Sequence, residues 1–103
     1  MPKGYWIALV DVSEPDAYQA YVRENAVAFK KYGARFLARG GPSEVVEGKI
    51  RARRVILEFS DYATAVACYH SPEYAKAIAL RAGASTADIV LIEGYDGPQP
   101  GDS

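Results

Sequence analysis

The stretch Arg53–Arg81, RRVILEFSDYATAVACYHSPEYAKAIALR, reads as a strand, a helix, a Ser-Pro break and a second short helix. Arg54-Val55-Ile56-Leu57-Glu58-Phe59 alternates, with Val55, Leu57 and Phe59 on one face and Arg54, Ile56 and Glu58 on the other. Ser60 or Asp61 can cap the helix that follows, because a short side-chain oxygen accepts from free N–H groups of the first turn. Tyr62, Val66 and Tyr69 recur at helical spacing. Pro72 ends that helix and suits the first position of a new one, with Ser71 as its cap and Glu73 near the positive helix end. In the second helix Tyr74, Ala77, Ile78 and Arg81 share a face, so an arginine closes an otherwise apolar stripe.

Upstream, Gly4–Val12 alternates as a strand, with Tyr5, Ile7 and Leu9 opposite Trp6, Ala8 and Val10. Ser13-Glu14-Pro15-Asp16 opens a helix from Pro15 to about Tyr32, which Gly33 stops. Tyr18, Tyr21, Val22, Ala26, Phe29 and Tyr32 form its apolar stripe, and Asn25 falls inside it. Ala34–Gly40 is a second strand, with Phe36 and Ala38 facing one way and Arg35, Leu37 and Arg39 the other. Ser43–Ile50 is an extended arm with a turn at Glu47-Gly48-Lys49. Downstream, Gly83 ends the last helix and Ala87–Glu93 is a final strand. Residues 1–95 read as one domain, and the composition of residues 96–103 predicts a polar, mobile tail.

The 103 residues suffice for one core. Half the residues are apolar, and the net charge of −1 gives no electrostatic footprint for nucleic acid. No apolar run approaches the ~18 residues of a membrane span, and the N-terminal stretch reads as a strand, not a signal peptide. One cysteine, Cys68, makes the cytoplasm the expected compartment. Cys68 with the single histidine, His70, cannot form a conventional zinc site. Arg51, Arg53 and Arg54 read as a solvated strand edge.

The order β-α-β-β-α-β predicts an α+β, ferredoxin-like sandwich: a four-stranded antiparallel sheet with helices on one face. Such a sheet should be polar on its open face. Here the first and last strands are apolar on both faces, Ile7 and Leu9 opposing Ala8 and Val10, and Ile89 and Leu91 opposing Val90 and Ile92. No spare segment remains to cover the second face, so a homodimer is expected, its sheets related by a two-fold axis.

KGYWIALVDV, Arg39-Gly40-Gly41, Glu58-Phe59, the run Tyr69-His70-Ser71-Pro72-Glu73-Tyr74, Arg81 and the closing Glu93-Gly94 together resemble the domain of unknown function 1330 family over residues 3 to 95. The resemblance implies a dimeric α/β barrel, in which the sheets of two chains close together with helices outside. Cofactor-free monooxygenases, muconolactone isomerases and haem enzymes share that wider superfamily. The family itself implies no reaction, and fold alone does not supply one.

In the fold so implied, Arg39 and Glu58 lie on neighbouring strands and point away from Phe36, Val55, Leu57 and Phe59. They form a structural ion pair, or two separate side chains held by backbone groups, or a site, with Arg39 binding a carboxylate or enolate and Glu58 accepting a proton. Asn25, on the sheet-facing stripe, must have partners, in the fold or in a ligand. Tyr69, Ser71, Tyr74 and Arg81 cluster around the helix break; they serve either as cap and core or as an anion site. His70 beside them is a capping residue or a second proton carrier; as a haem ligand it is the remote alternative. Two functions follow. One is a cofactor-free protein binding or converting a small anionic or enolisable molecule in a pocket walled by Tyr5, Tyr18, Tyr69 and Tyr74. The other is a non-catalytic dimeric module.

Overall fold

The computed structural model describes residues 2–102. Strand β1 (Gly4–Val12) is followed by α1 (Pro15–Lys31), β2 (Arg35–Arg39), β3 (Arg53–Phe59), α2 (Tyr62–Tyr69), α3 (Pro72–Arg81) and β4 (Ser85–Glu93). The strands form one antiparallel sheet in the order β2-β3-β1-β4, the ferredoxin-like arrangement, and a single chain's sheet stays open. Among the described residues no helix is long and apolar enough to cross a membrane.

Local chemistry sets the helix limits. Asp61 caps α2 by accepting from the Thr64 N–H at 2.7 Å. Ser71 caps α3, accepting from the Tyr74 N–H at 3.1 Å while its hydroxyl donates to the Cys68 carbonyl at 2.7 Å. The break at Pro72 is therefore two helices with one serine joining them. Gly33 follows α1 with φ +70, a conformation that costs other residues strain. Gly4 starts β1 against the backbone of Asp61 and Tyr62, where a Cβ would collide.

The helices cover one face of the sheet. Trp6, Ala8 and Val10 of β1 and Val55, Leu57 and Phe59 of β3 are buried there, under Tyr18, Tyr21, Ala28 and Phe29 of α1, Ala65 and Cys68 of α2, and Tyr74 and Ala77 of α3. Two stripes differ from the sequence reading. In α1 the buried stripe runs 18, 21, 25, 28, 29, so Ala28 is inside and Ala26 outside. In α2 the small residues Ala65 and Cys68 go in on the sheet-facing side and Tyr62 stays out, 40% exposed, while Tyr69 packs its ring beside Trp6. Trp6, 1% exposed, is the hub: its ring centroid lies 5.0–5.6 Å from those of Phe29, Phe59, Tyr69 and Tyr74, and its Nε1 donates to the Ala65 carbonyl at 2.9 Å.

Strand β2 corrects the alternation expected for it. Phe36 pairs with Leu57, but Ala38 pairs with Ile56 and Arg39 with Val55, so Leu37 is an extra residue in a β-bulge. Beyond a bulge every side chain changes face. Arg39 therefore points to the helix side with Phe36, its guanidinium carbon 4.2 Å from the Phe36 ring centroid. Glu58 pairs with Tyr5 and Arg35 on the other face. Of the readings left open for Arg39 and Glu58, the ion pair is not formed among the described residues, and the two side chains lie on opposite faces.

Candidate functional site

A cavity of about 40 Å³ lies between the helix side of the sheet and helices α1 and α3. At ~10–15 Å³ for each water, it has room for roughly three waters, the size of a small polar headgroup. Trp6, Phe29, Phe36, Leu57 and Ile89 form its apolar walls, and Asn25, Tyr18, Tyr21, Tyr74, Arg39, Arg53 and Arg81 supply its polar groups.

Three arginines reach this space from three elements. Arg39 comes from the end of β2, turned inward by the bulge. Arg53 starts β3 opposite Val10, in register with Val55 and Leu57, and its guanidinium lies 5.8 Å from the Tyr18 ring centroid. Arg81 ends α3, two turns after Tyr74, with its guanidinium 5.4 Å from the Tyr21 ring centroid. Cation–π contact holds such groups over the rings but offers no acceptor in the plane of the fork. The Nε atoms of Arg53 and Arg81 are both buried and without a hydrogen-bond partner. No aspartate or glutamate lines the cavity, and no ion pair among the described residues includes any of the three arginines.

The remaining polar groups are arranged around these charges. The Tyr21 and Tyr74 hydroxyls share a hydrogen bond of 2.7 Å. Burial raises the Tyr74 phenol above its ordinary value, and the Tyr21 partner raises it further. Tyr18 is raised too, first by burial and then by Tyr21, with Arg53 and Arg81 pulling the other way. Asn25 is 8% exposed, and its amide makes no hydrogen bond among the described residues. The chemistry on offer is donor-rich and cationic in an aromatic shell.

Of the residues singled out from the sequence, the structure brings Asn25, Arg39, Tyr74 and Arg81 together here, with Tyr18 from the expected walls. It places the others elsewhere. Glu58 and Tyr5 lie on the opposite face of the sheet. His70 is the exposed C-cap of α2, packed edge-on against Tyr69. Tyr69 belongs to the cluster around Trp6, and the Ser71 hydroxyl is fully used in capping. Cys68 is buried, and burial pushes its thiol up to about 12, so it packs rather than reacts. Among the described residues no three histidine, cysteine or acidic side chains are placed to hold a metal ion. Arg53 is the residue that sequence reading missed by assigning it to a solvated edge. Its signal was the β3 alternation, which carries the Val55, Leu57, Phe59 face back two residues to 53.

The family described as a domain of unknown function (DUF1330) matches residues 3–95. No curated protein matches the sequence. Among solved structures, a protein of unknown function from Rhodopseudomonas palustris is 20% identical, with a TM-score of 0.67, over 93% of this chain and 85% of that one. SnoaB, a cofactor-independent oxygenase from Streptomyces nogalater, is 12% identical with a TM-score of 0.65, over 94% and 97%. A dimeric protein of unknown function with a ferredoxin-like fold, from Bacteroides fragilis, is 13% identical with a TM-score of 0.52, over 88% and 95%. At these identities the likeness concerns the fold.

Proposed function

This chain belongs to the domain of unknown function 1330 family, and we propose that it is a cytoplasmic homodimer that binds a small carboxylate-bearing metabolite in the cavity between sheet and helices. The observation that carries the reading is the pair of buried, unpartnered Nε atoms on Arg53 and Arg81. The two side chains are half-buried, with these donors turned inward and unused; a bound anion would supply the missing acceptor and counter-charge. Arg–carboxylate forks give paired, charge-assisted hydrogen bonds, and the aromatic walls would hold the rest of a small ligand. No other cofactor enters this reading.

Conversion of an enolisable ligand needs a base within reach of its proton. Glu58 and His70, the two candidates from the sequence, do not line the cavity. The phenols that do, on Tyr18, Tyr21 and Tyr74, are poor bases while protonated, and burial raises Tyr18 and Tyr74. The reading therefore rests on binding.

The homodimer rests on the uncovered face of the sheet. Ile7 and Leu9 lie at its centre, and Ile56, Val90 and Ile92 beside them are exposed, Val90 by 52% and Ile92 by 48%. A second copy of this face is the self-complementary cover a two-fold axis supplies. The dimeric protein from Bacteroides fragilis shares the fold.

Thermal unfolding with and without formate or acetate, whose three or four heavy atoms match a cavity of about 40 Å³, tests the binding. The parent protein should gain stability as the acid concentration rises, by the mass-action relation for a ligand of the folded state. Folded Arg53→Ala and Arg81→Ala variants should lose the response. If both variants respond as the parent does, the anion reading is wrong.

A further inference from the structure

The lining of the cavity also narrows which anion it takes, an inference that rests on the binding reading above. Asn25 decides it. The side chain is 8% exposed, lines the cavity and makes no hydrogen bond among the described residues. It follows Tyr21 by one turn on the buried stripe of α1. Side chains on a helix lean towards its N-terminus, so the amide lies towards the Tyr21 ring. The Arg81 guanidinium stands over that same ring, 5.4 Å from its centroid.

Arginine donates from its N–H groups and accepts from none. Arg39, Arg53 and Arg81 line the space with no acidic side chain among them, so it is positive and rich in donors. The Tyr21 and Tyr74 hydroxyls are already joined to each other. A primary amide differs from all of these, because it has a donating NH₂ end and an accepting carbonyl end side by side. An anion made only of acceptors, such as acetate or nitrate, pairs with the NH₂ end and leaves the carbonyl end unmatched. A buried acceptor left without a donor is costly. The anion that satisfies both ends carries an O–H next to a charged oxygen.

Size sets the second condition. About 40 Å³, room for roughly three waters, admits an ion of about four heavy atoms. Hydrogencarbonate is a planar ion of that size: it is acetate with a hydroxyl in place of the methyl group. Its O–H and the neighbouring oxygen can meet the two ends of the amide, while its charged oxygens accept from a guanidinium. We propose that the cavity takes hydrogencarbonate, its O–H received by the Asn25 amide oxygen and its charge met by the arginines.

Thermal unfolding with the sodium salts of hydrogencarbonate, acetate and nitrate tests this, each measured against sodium chloride at the same ionic strength. A mildly alkaline pH keeps hydrogencarbonate the main species in its solution. The rise in Tm with concentration gives an apparent Kd for each salt. Hydrogencarbonate should bind at least about tenfold more tightly than acetate or nitrate, about the effect of one additional hydrogen bond with a charged partner. Asn25→Leu, close in size and without either polar end, should bring hydrogencarbonate down to the acetate level. The comparison of salts uses only the parent protein, so it decides even where the variant fails to fold. Acetate or nitrate binding as tightly as hydrogencarbonate would overturn the assignment and leave anion binding standing. A preference that survives in folded Asn25→Leu would overturn it in the same way. Binding of none of the three would remove both.

Discussion

Arg53 and Arg54 are neighbours in the chain and have opposite fates. Arg54 points to the open face of the sheet, where its Nε donates to the Arg51 carbonyl at 3.0 Å and its Nη1 to the Ser43 hydroxyl at 2.5 Å. Arg51 beside it lies between two carboxylates, Asp11 at 2.8 Å and Asp88 at 2.9 Å. Arg53 points to the covered face, and its Nε has no partner. Arg53 and Arg54 are both half-buried, so the two faces differ here in partners and not in exposure: acceptors meet Arg54 and Arg51 on the open face, and none meets the Nε of Arg53. The comparison teaches that the open face is built as a finished surface with an apolar centre, whereas the covered face keeps cationic groups in reserve.

The largest expected effect separates the two faces by their part in folding. Trp6→Ala on the covered face removes the hub of the aromatic core and the bond to the Ala65 carbonyl. It should cost about 3–5 kcal/mol in urea unfolding, and a loss below about 1 kcal/mol would show that the core does not depend on this ring. On the open face, Val90→Lys should leave the fold intact and separate the dimer. Sedimentation should then move from twice the chain mass towards the chain mass, with dissociation at least about tenfold easier. A parent protein that sediments as a monomer at micromolar concentration would remove the dimer.

Smaller effects come from the two adjacent arginines. Arg54→Gln breaks two hydrogen bonds and should cost about 1 kcal/mol. Arg53→Gln breaks no hydrogen bond at Nε and removes one of three charges lining the cavity, so without ligand it should leave stability within about 0.5 kcal/mol of the parent or slightly raise it. Equal losses for the two variants would mean that Arg53 has a partner in the fold.

The smallest effect is acid dependence. The Ala52 N–H and then Arg51 hold the Asp11 carboxyl below its ordinary value, Thr64 does so for Asp61, and Lys31 for Glu73. Depressed carboxyls contribute stability above their unfolded values and lose it as pH falls through their folded ones. Thermal stability should therefore fall on acidification below the ordinary values of 3.8 and 4.5, and stay level just above them. Because no carboxyl lines the cavity, Arg53→Gln should not change that profile. A changed profile would place a titrating acid near Arg53.

The order of elements was legible because its signals are local. Pro72 lacks a helical N–H, Gly33 accepts positive φ, and Ser71 and Asp61 cap the helices that follow them. The double-sided apolar pattern of β1 and β4 was equally visible in alternation. Part of the site was legible too: Tyr74 and Arg81 stand two turns apart on one helix face, and Asn25 lies inside an apolar stripe. Those positions follow from periods of 3.6 and 2, which the chain obeys whatever it packs against.

Which arginines meet was decided only by the tertiary structure. The bulge at Leu37 arises from pairing with β3, and that one extra residue turned Arg39 inward and left Glu58 outside. Nothing near Arg39 in the chain records which hydrogen bonds β3 will offer. Arg53 and Arg81 likewise converge through the packing of β3 against a helix that begins nearly twenty residues later. The chain by itself determined two helices with a proline break, a doubly apolar sheet and three arginines at element ends. Their assembly around one cavity without an acid depended on register and docking, because a charge finds or lacks its partner through space and not along the sequence.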